Sequence, residues 1–157
     1  MENDTLAAAL EREHRDIDQG IETFTTGLAA GDSQTESLRR AMDALRRHIY
    51  LEEEFLFPPL RQAGLVAPIF VMLREHGQLW KTLETLDTAL GEKSLGASVP
   101  QVCAELVAQL QAHNSKEEPI IYPQADTVLT PAGSAQLKAF LDSAQTPDGW
   151  VCHGAQS

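Results

Sequence analysis

The residues able to do chemistry in this chain fall into a pattern that occurs twice. His48-Ile49-Tyr50-Leu51-Glu52-Glu53-Glu54-Phe55-Leu56-Phe57-Pro58 has a counterpart in His113-Asn114-Ser115-Lys116-Glu117-Glu118-Pro119-Ile120-Ile121-Tyr122-Pro123. In both, a Glu-Glu pair begins four residues after the His, and an aromatic-Pro pair follows at the same later offset. Arg12-Glu13-His14 precedes the first copy and Arg74-Glu75-His76 the second, with 34 residues from lone His to paired His in one half and 37 in the other. Each half thus supplies one His and one His-x-x-x-Glu. Residues i and i+4 of an α-helix lie on one face, so His48 and Glu52 point the same way, as do His113 and Glu117. Neutral imidazole is a good ligand for iron, zinc and copper. A carboxylate has two oxygens and can bridge two cations. His14, His48, Glu52, His76, His113 and Glu117, directed inward, make a cage for two metals with Glu52 and Glu117 shared. Without partners, two ionised carboxylates in an interior would each cost several kcal/mol, and two divalent cations remove that cost. The donor set does not by itself choose iron over zinc.

Helices must position these groups, and the apolar periodicity supplies them. Residues 5–29 carry a stripe of Leu6, Leu10, His14, Ile17, Ile21, Phe24 and Leu28, ended by Gly31. Ser33-Gln34-Thr35-Glu36 has the form of a capping box and opens a second helix with Leu38, Met42, Leu45, His48, Glu52 and Phe55 on one face. Pro58-Pro59 is expected to break or bend it. Pro68 suits the first turn of a third helix, whose inner face is Ile69, Met72, Leu73, His76, Trp80, Leu83, Leu86 and Leu90. Gly91 to Gly96 reads as a loop. Ser98-Val99-Pro100-Gln101 is a second capping signal, for a helix with Val99, Cys103, Leu106, Leu110, His113 and Glu117 inward, and Pro119 disturbs the backbone after it. Thr130-Pro131 opens a short fifth helix to about Leu141. The expected fold is all-α: an antiparallel up-down-up-down four-helix bundle with a short C-terminal helix. It occupies residues 1–144, followed by a loose tail at 145–157.

At 157 residues the chain suits one domain with a real core. The net charge of −11 argues against nucleic acid and anionic membranes, both of which call for basic patches. No apolar run approaches the roughly 20 residues of a membrane span. Met1-Glu2-Asn3-Asp4 is acidic and has no apolar leader region, so no signal peptide is expected. Cys103 and Cys152 form neither a metal spacing nor a disulfide framework, and a reducing cytoplasm is the default location.

The order His, His-x-x-x-Glu, His, His-x-x-x-Glu resembles the hemerythrin-like family, also called the HHE cation-binding domain, over about residues 5–125. The resemblance implies an antiparallel four-helix bundle around two non-haem iron ions with an oxo or hydroxo bridge. His14 and His48 would bind one iron, His76 and His113 the other, and Glu52 and Glu117 would bridge them. Two departures matter. Oxygen-carrying hemerythrins have His-x-x-x-His on the third helix, where this chain has Trp80. They end with His and Asp at a five-residue offset, where this chain has His113 and Glu117. Fewer histidines leave more open positions, which favours reaction with a ligand over simple oxygen carriage.

The pseudo-repeat puts Asp18 at the offset of Trp80, either in reach of the metal on His14 or solvated on the helix flank. Trp80, Met72 and Phe55 are core residues that can also line a ligand pocket. Glu53, Glu54 and Glu118 are expected to be solvated. Glu13 and Glu75 are expected at the surface or behind the ligands. Tyr50 points to another face, and Cys152-His153 lies in the tail.

The expected function is binding or reduction of O2, peroxide or nitric oxide, as a sensor or as a detoxifying oxidoreductase. Iron handling and a structural or regulatory zinc site are the alternatives. The redox partner and the choice between monomer and homodimer are not written in the sequence.

Overall fold

The structure is a computed structural model that describes residues 5–32, 34–91 and 98–156. It is all-helical, with no strand among the described residues. The elements are α1 (Leu6–Ala29), α2 (Glu36–Leu51), α3 (Phe57–Gln62), α4 (Val66–Leu90), α5 (Ser98–Lys116), α6 (Tyr122–Val128) and α7 (Pro131–Ser143). No helix among the described residues is long and apolar enough to cross a membrane.

Helix α1 starts where its exposed donors find acceptors. Thr5 Oγ1 accepts from the Ala8 N–H at 3.1 Å. The Asp126 carboxylate accepts from Leu6 at 2.9 Å and from Ala7 at 3.1 Å. An anion at a helix N-terminus satisfies orphan donors and complements the dipole, so α6 is pinned to the start of α1. Helix α2 begins at Glu36 after Thr35, whose side chain makes no capping bond. The expected cap at Ser33 lies outside the described residues, as do residues 92–97 of the expected Gly91 to Gly96 loop.

The prolines do not end the ligand-bearing helices as the sequence suggests. Between α2 and α3, and between α5 and α6, the chain stays helical by widening into a π turn, at Glu52–Leu56 and Glu117–Ile121. The Phe57 N–H reaches the Glu52 carbonyl and the Tyr122 N–H reaches the Glu117 carbonyl. Pro58 and Pro123 each follow directly. A proline has no N–H to donate, and its ring clashes with the carbonyl four residues back. A turn with i→i+5 bonds absorbs that conflict, and such turns recur at functional sites.

Helix α1 packs mainly along α2, and α4 along α5. Two apolar clusters result. One gathers Ile17, Phe24, Leu45, Leu83 and Leu106. The other gathers Leu10, Leu51, Phe57, Ile69 and Tyr122. On α1 and α4 the histidine falls where one cluster gives way to the other. Leu10 precedes His14 and Ile17 follows it; Met72 precedes His76 and Leu79 follows it. The polar layer is therefore closed off by apolar side chains from both directions.

The segment after residue 145 differs from the expected loose tail. Trp150 sets its ring edge-on against Tyr50 at 5.2 Å and against Trp80 at 5.5 Å. Cys152 is fully buried in the first cluster. Gly154 meets Gly77 backbone to backbone: a Cβ on Gly77 would lie 2.7 Å from the Gly154 carbonyl. Arg47 anchors the end of α7, donating to the carbonyls of Phe140, Leu141 and Ala144. This segment has no helical period to betray it. Two glycines let it approach α4 as a strap.

Candidate metal centre

All six expected donors are buried, none more than 3% exposed. They fall into two groups whose donor atoms lie within 4.8 Å of one another: His14, His48, Glu52 and Glu117, and Glu52, His76, His113 and Glu117. Glu52 and Glu117 belong to both. Glu52 divides its oxygens, with Oε2 2.9 Å from His48 Nε2 and Oε1 3.0 Å from His76 Nε2. Glu117 turns Oε1 to both sides, 3.2 Å from His14 Nε2 and 3.3 Å from His113 Nε2.

Every imidazole is held from behind by its own carboxylate. His14 Nδ1 lies 2.8 Å from Glu118, His48 Nδ1 2.8 Å from Glu13, His76 Nδ1 2.7 Å from Glu53 and His113 Nδ1 2.9 Å from Glu75. An ionised carboxylate only accepts, so Nδ1 carries the proton and Nε2 is the nitrogen presented inward. Such pairs fix ring orientation and raise ligand basicity. Glu13 is further paired with Arg47, and Glu75 with Lys116.

Glu53 corrects the sequence reading, which had it solvated; Glu118 keeps contact with solvent but also engages a histidine. The π turn displaces the residue after each Glu from its α-helical direction and delivers it to a histidine of another helix. Their settings differ: the Glu53 side chain is 5% exposed and that of Glu118 is 37% exposed. The His153 N–H donates to Glu53 Oε1 at 2.9 Å, so the C-terminal strap backs this carboxylate. Glu54 is exposed, as expected.

Replacing Glu53 by Ala is expected to weaken metal binding by about 10–100-fold, the usual cost of losing a ligand's supporting carboxylate. Competition with a chelator measures it. An affinity equal to that of the unaltered protein would refute the positioning role.

Tyr122 was not among the expected site residues. It is fully buried, and its Oη lies 2.8 Å from His14 Nε2, 2.9 Å from His48 Nε2, 2.6 Å from Glu52 Oε2 and 3.0 Å from Glu117 Oε1. On a straight α-helix the fifth residue after Glu117 would lie about 140° round the axis. The π turn brings it over the same face. The repeated aromatic-Pro pair was the available signal. In the other half the equivalent residue is Phe57, stacked on the His76 ring at 5.4 Å.

Asp18 is exposed and belongs to neither donor group. Partial burial, with Glu118 nearby, raises its carboxyl. Trp80 is buried but turned outward, edge-on to Trp150 and under the Arg46 guanidinium at 5.7 Å. It lines an outer cleft with Arg46, Asp87 and Trp150, away from the cage. Tyr50 packs on Phe55 and Trp150.

The donor set passes a direct test of fit for a metal pair. Glu52 Oε1, His76 Nε2 and Glu117 Oε2 are buried without a hydrogen-bond partner. Glu52 Oε1 and His76 Nε2 stand only 3.0 Å apart, yet their angles do not make a hydrogen bond. Orphaned buried polar atoms are costly, and cations between the two groups would satisfy all three.

Without metal the charges balance one another. Burial alone would lower His48 and His76. The Glu52 charge leaves His48 well above its ordinary value, and Glu52 with Glu53 carries His76 to about 9. Burial alone would raise Glu52, but His48 and His76 hold it well below the usual carboxylate range. An imidazole raised in the folded state stabilises fully below 6.5, and that stability is lost as pH climbs towards 9. A carboxylate lowered in the folded state stabilises above 4.5, and that stability is lost as pH falls. The metal-free protein is therefore expected to melt highest between pH 4.5 and 6.5 and progressively lower towards pH 9. Thermal melts in chelator across that range would show it, and a melting point rising above pH 6.5 would contradict it. Metal affinity should run the other way and rise with pH, because ligation displaces these protons.

The sequence model of the hemerythrin HHE cation binding domain matches residues 5–125. Among curated proteins the chain is similar to the uncharacterized proteins Rv1995 and MT2051 of Mycobacterium tuberculosis and Mb2018 of Mycobacterium bovis, at 25% identity over 159 residues in each case. The similarity takes in 90% of this chain, which spans 59% of the length of those relatives. No solved structure matches the chain significantly.

Proposed function

This chain belongs to the hemerythrin HHE cation-binding family, and on that premise we propose that it is a cytoplasmic non-haem di-iron protein that binds or reduces O2, peroxide or nitric oxide. We read its four long helices as an antiparallel bundle around the cage. The observation that carries the proposal is the sharing of Glu52 and Glu117 between two four-residue donor groups. His14 and His48 would hold one iron, His76 and His113 the other, and the two carboxylates would bridge them. Two irons, when bound, supply open coordination positions and a pair of electrons for a small ligand.

The chain supplies the rest. Apolar clusters on either side keep bulk water from the polar layer. The four Nδ1-carboxylate pairs fix the rings before any metal arrives, so little ordering remains for binding to do. Trp80 stands where oxygen carriers have another histidine, and its ring faces away from the cage. With that histidine absent, more coordination positions stay open, which favours ligand turnover over reversible carriage.

The test is metal analysis of the purified protein with its optical spectrum before reduction, after it, and after re-exposure to air. Two irons per chain and a near-ultraviolet band that bleaches and returns are expected. Zinc, or no metal after reconstitution, would sink the reading. Steady-state assays with peroxide and nitric oxide then separate an enzyme from a binder. One observation favours iron handling instead: Glu118, behind His14, is 37% exposed and gives that metal a side near solvent. Rapid loss of one iron to a strong chelator would favour that reading.

A further inference from the structure

The two halves of the cage match ligand for ligand but differ at one position, Tyr122 in one and Phe57 in the other. The surroundings of Tyr122 Oη are more than a hydroxyl can use. A phenol has one proton to donate and two lone pairs. Oη has four polar partners between 2.6 and 3.0 Å, and two of them, Glu52 and Glu117, are carboxylates competing for its single proton. As a hydrogen-bond arrangement this is over-subscribed.

The same spacings suit donors gathered around one cation. Donors held about 2.1 Å from one metal and at right angles to each other lie about 3.0 Å apart. Tyr122 Oη stands at 2.8, 2.9, 2.6 and 3.0 Å from the donor atoms of His14, His48, Glu52 and Glu117. Two edges among those four, His14 to Glu117 at 3.2 Å and His48 to Glu52 at 2.9 Å, lie close to that spacing. Tyr122 Oη is thus the common near neighbour of four donor atoms, at spacings that five donors sharing one cation would have.

We propose that Tyr122 is a fifth protein ligand, through its phenolic oxygen, to the metal held by His14 and His48. The assignment rests on the dinuclear reading above. The O–H bond breaks as the oxygen–metal bond forms, the proton passes to bulk water, and no electron is transferred. The partner metal, held by His76 and His113, has the Phe57 ring at the equivalent position and gains no such ligand. The pair is thereby asymmetric, and the exogenous ligand binds at the His76 and His113 side, where a position is left free.

The experiment uses the full chain loaded with ferric iron and resonance Raman excitation in the visible. A phenolate-to-iron charge-transfer band with enhanced tyrosine ring modes is expected. Tyr122→Phe should lose the band and keep both irons, because Phe57 shows that a phenyl ring is accommodated at this register. Phe57→Tyr should add a second phenolate signal. The wild-type spectrum decides by itself: two irons without ring modes overturns the assignment and leaves the dinuclear site standing. Ring modes that survive Tyr122→Phe also overturn it. Failure to bind iron overturns both readings.

Discussion

Replacing Glu52 by Ala is expected to strip the chain of both metals, taking content from two per chain to well below one. Glu52 is the carboxylate whose two oxygens are divided between the halves, 2.9 Å from His48 and 3.0 Å from His76. Its loss leaves each donor group with three of its four members. It also removes the charge that holds His48 and His76 protonated in the metal-free fold. Losing a supporting carboxylate costs about 10–100-fold in affinity, and losing a shared ligand should exceed that at both positions. Glu117→Ala should behave alike, since Glu117 Oε1 faces His14 and His113 together. Elemental analysis after desalting reads the result, with Glu54→Ala, an exposed position, as the control. Unchanged stoichiometry in both variants would refute the bridging assignment.

Gly77→Ala should release the C-terminal strap. A Cβ there would come within 2.7 Å of the Gly154 carbonyl carbon and oxygen, which are backbone atoms that no rotamer change can move. Overpacking of this kind costs about 1–3 kcal/mol. For a domain of this size that lowers the melting point by about 2–12 °C. The second readout is chemical. The Cys152 thiol is fully buried and pushed up to about 12, so it should resist thiol reagents in the native protein. With the strap lifted it should react readily. Metal affinity should fall too, because the His153 N–H that backs Glu53 leaves with the strap. A variant with native melting point and an unreactive Cys152 would show that the strap contact is not tight.

Much of the fold was legible because its signals are local. The stripe of Leu6, Leu10, Ile17, Ile21, Phe24 and Leu28 with His14 inside it is a one-dimensional statement about one face of α1, and all of these but the half-buried Leu28 are buried. The strap was not legible. Nothing periodic in Trp150 to Ala155 announces burial; it depends on two glycines far apart in sequence meeting at one point.

The candidate site divides the same way. Type and spacing alone singled out His14, His48, Glu52, His76, His113 and Glu117, since i, i+4 pairing on an apolar stripe needs only helical geometry. Glu53, Glu118 and Tyr122 needed the tertiary structure. Their directions are set by π turns, and those turns arise from a conflict between proline and the helix ladder that regular periodicity cannot express. Sequence therefore determined that buried histidines and carboxylates share one layer of a helical protein. Only the packing of the helices decided which carboxylate stands behind which imidazole, and that a phenol oxygen faces four donor atoms on one side while a bare ring faces the other, because those relations join residues up to 108 positions apart.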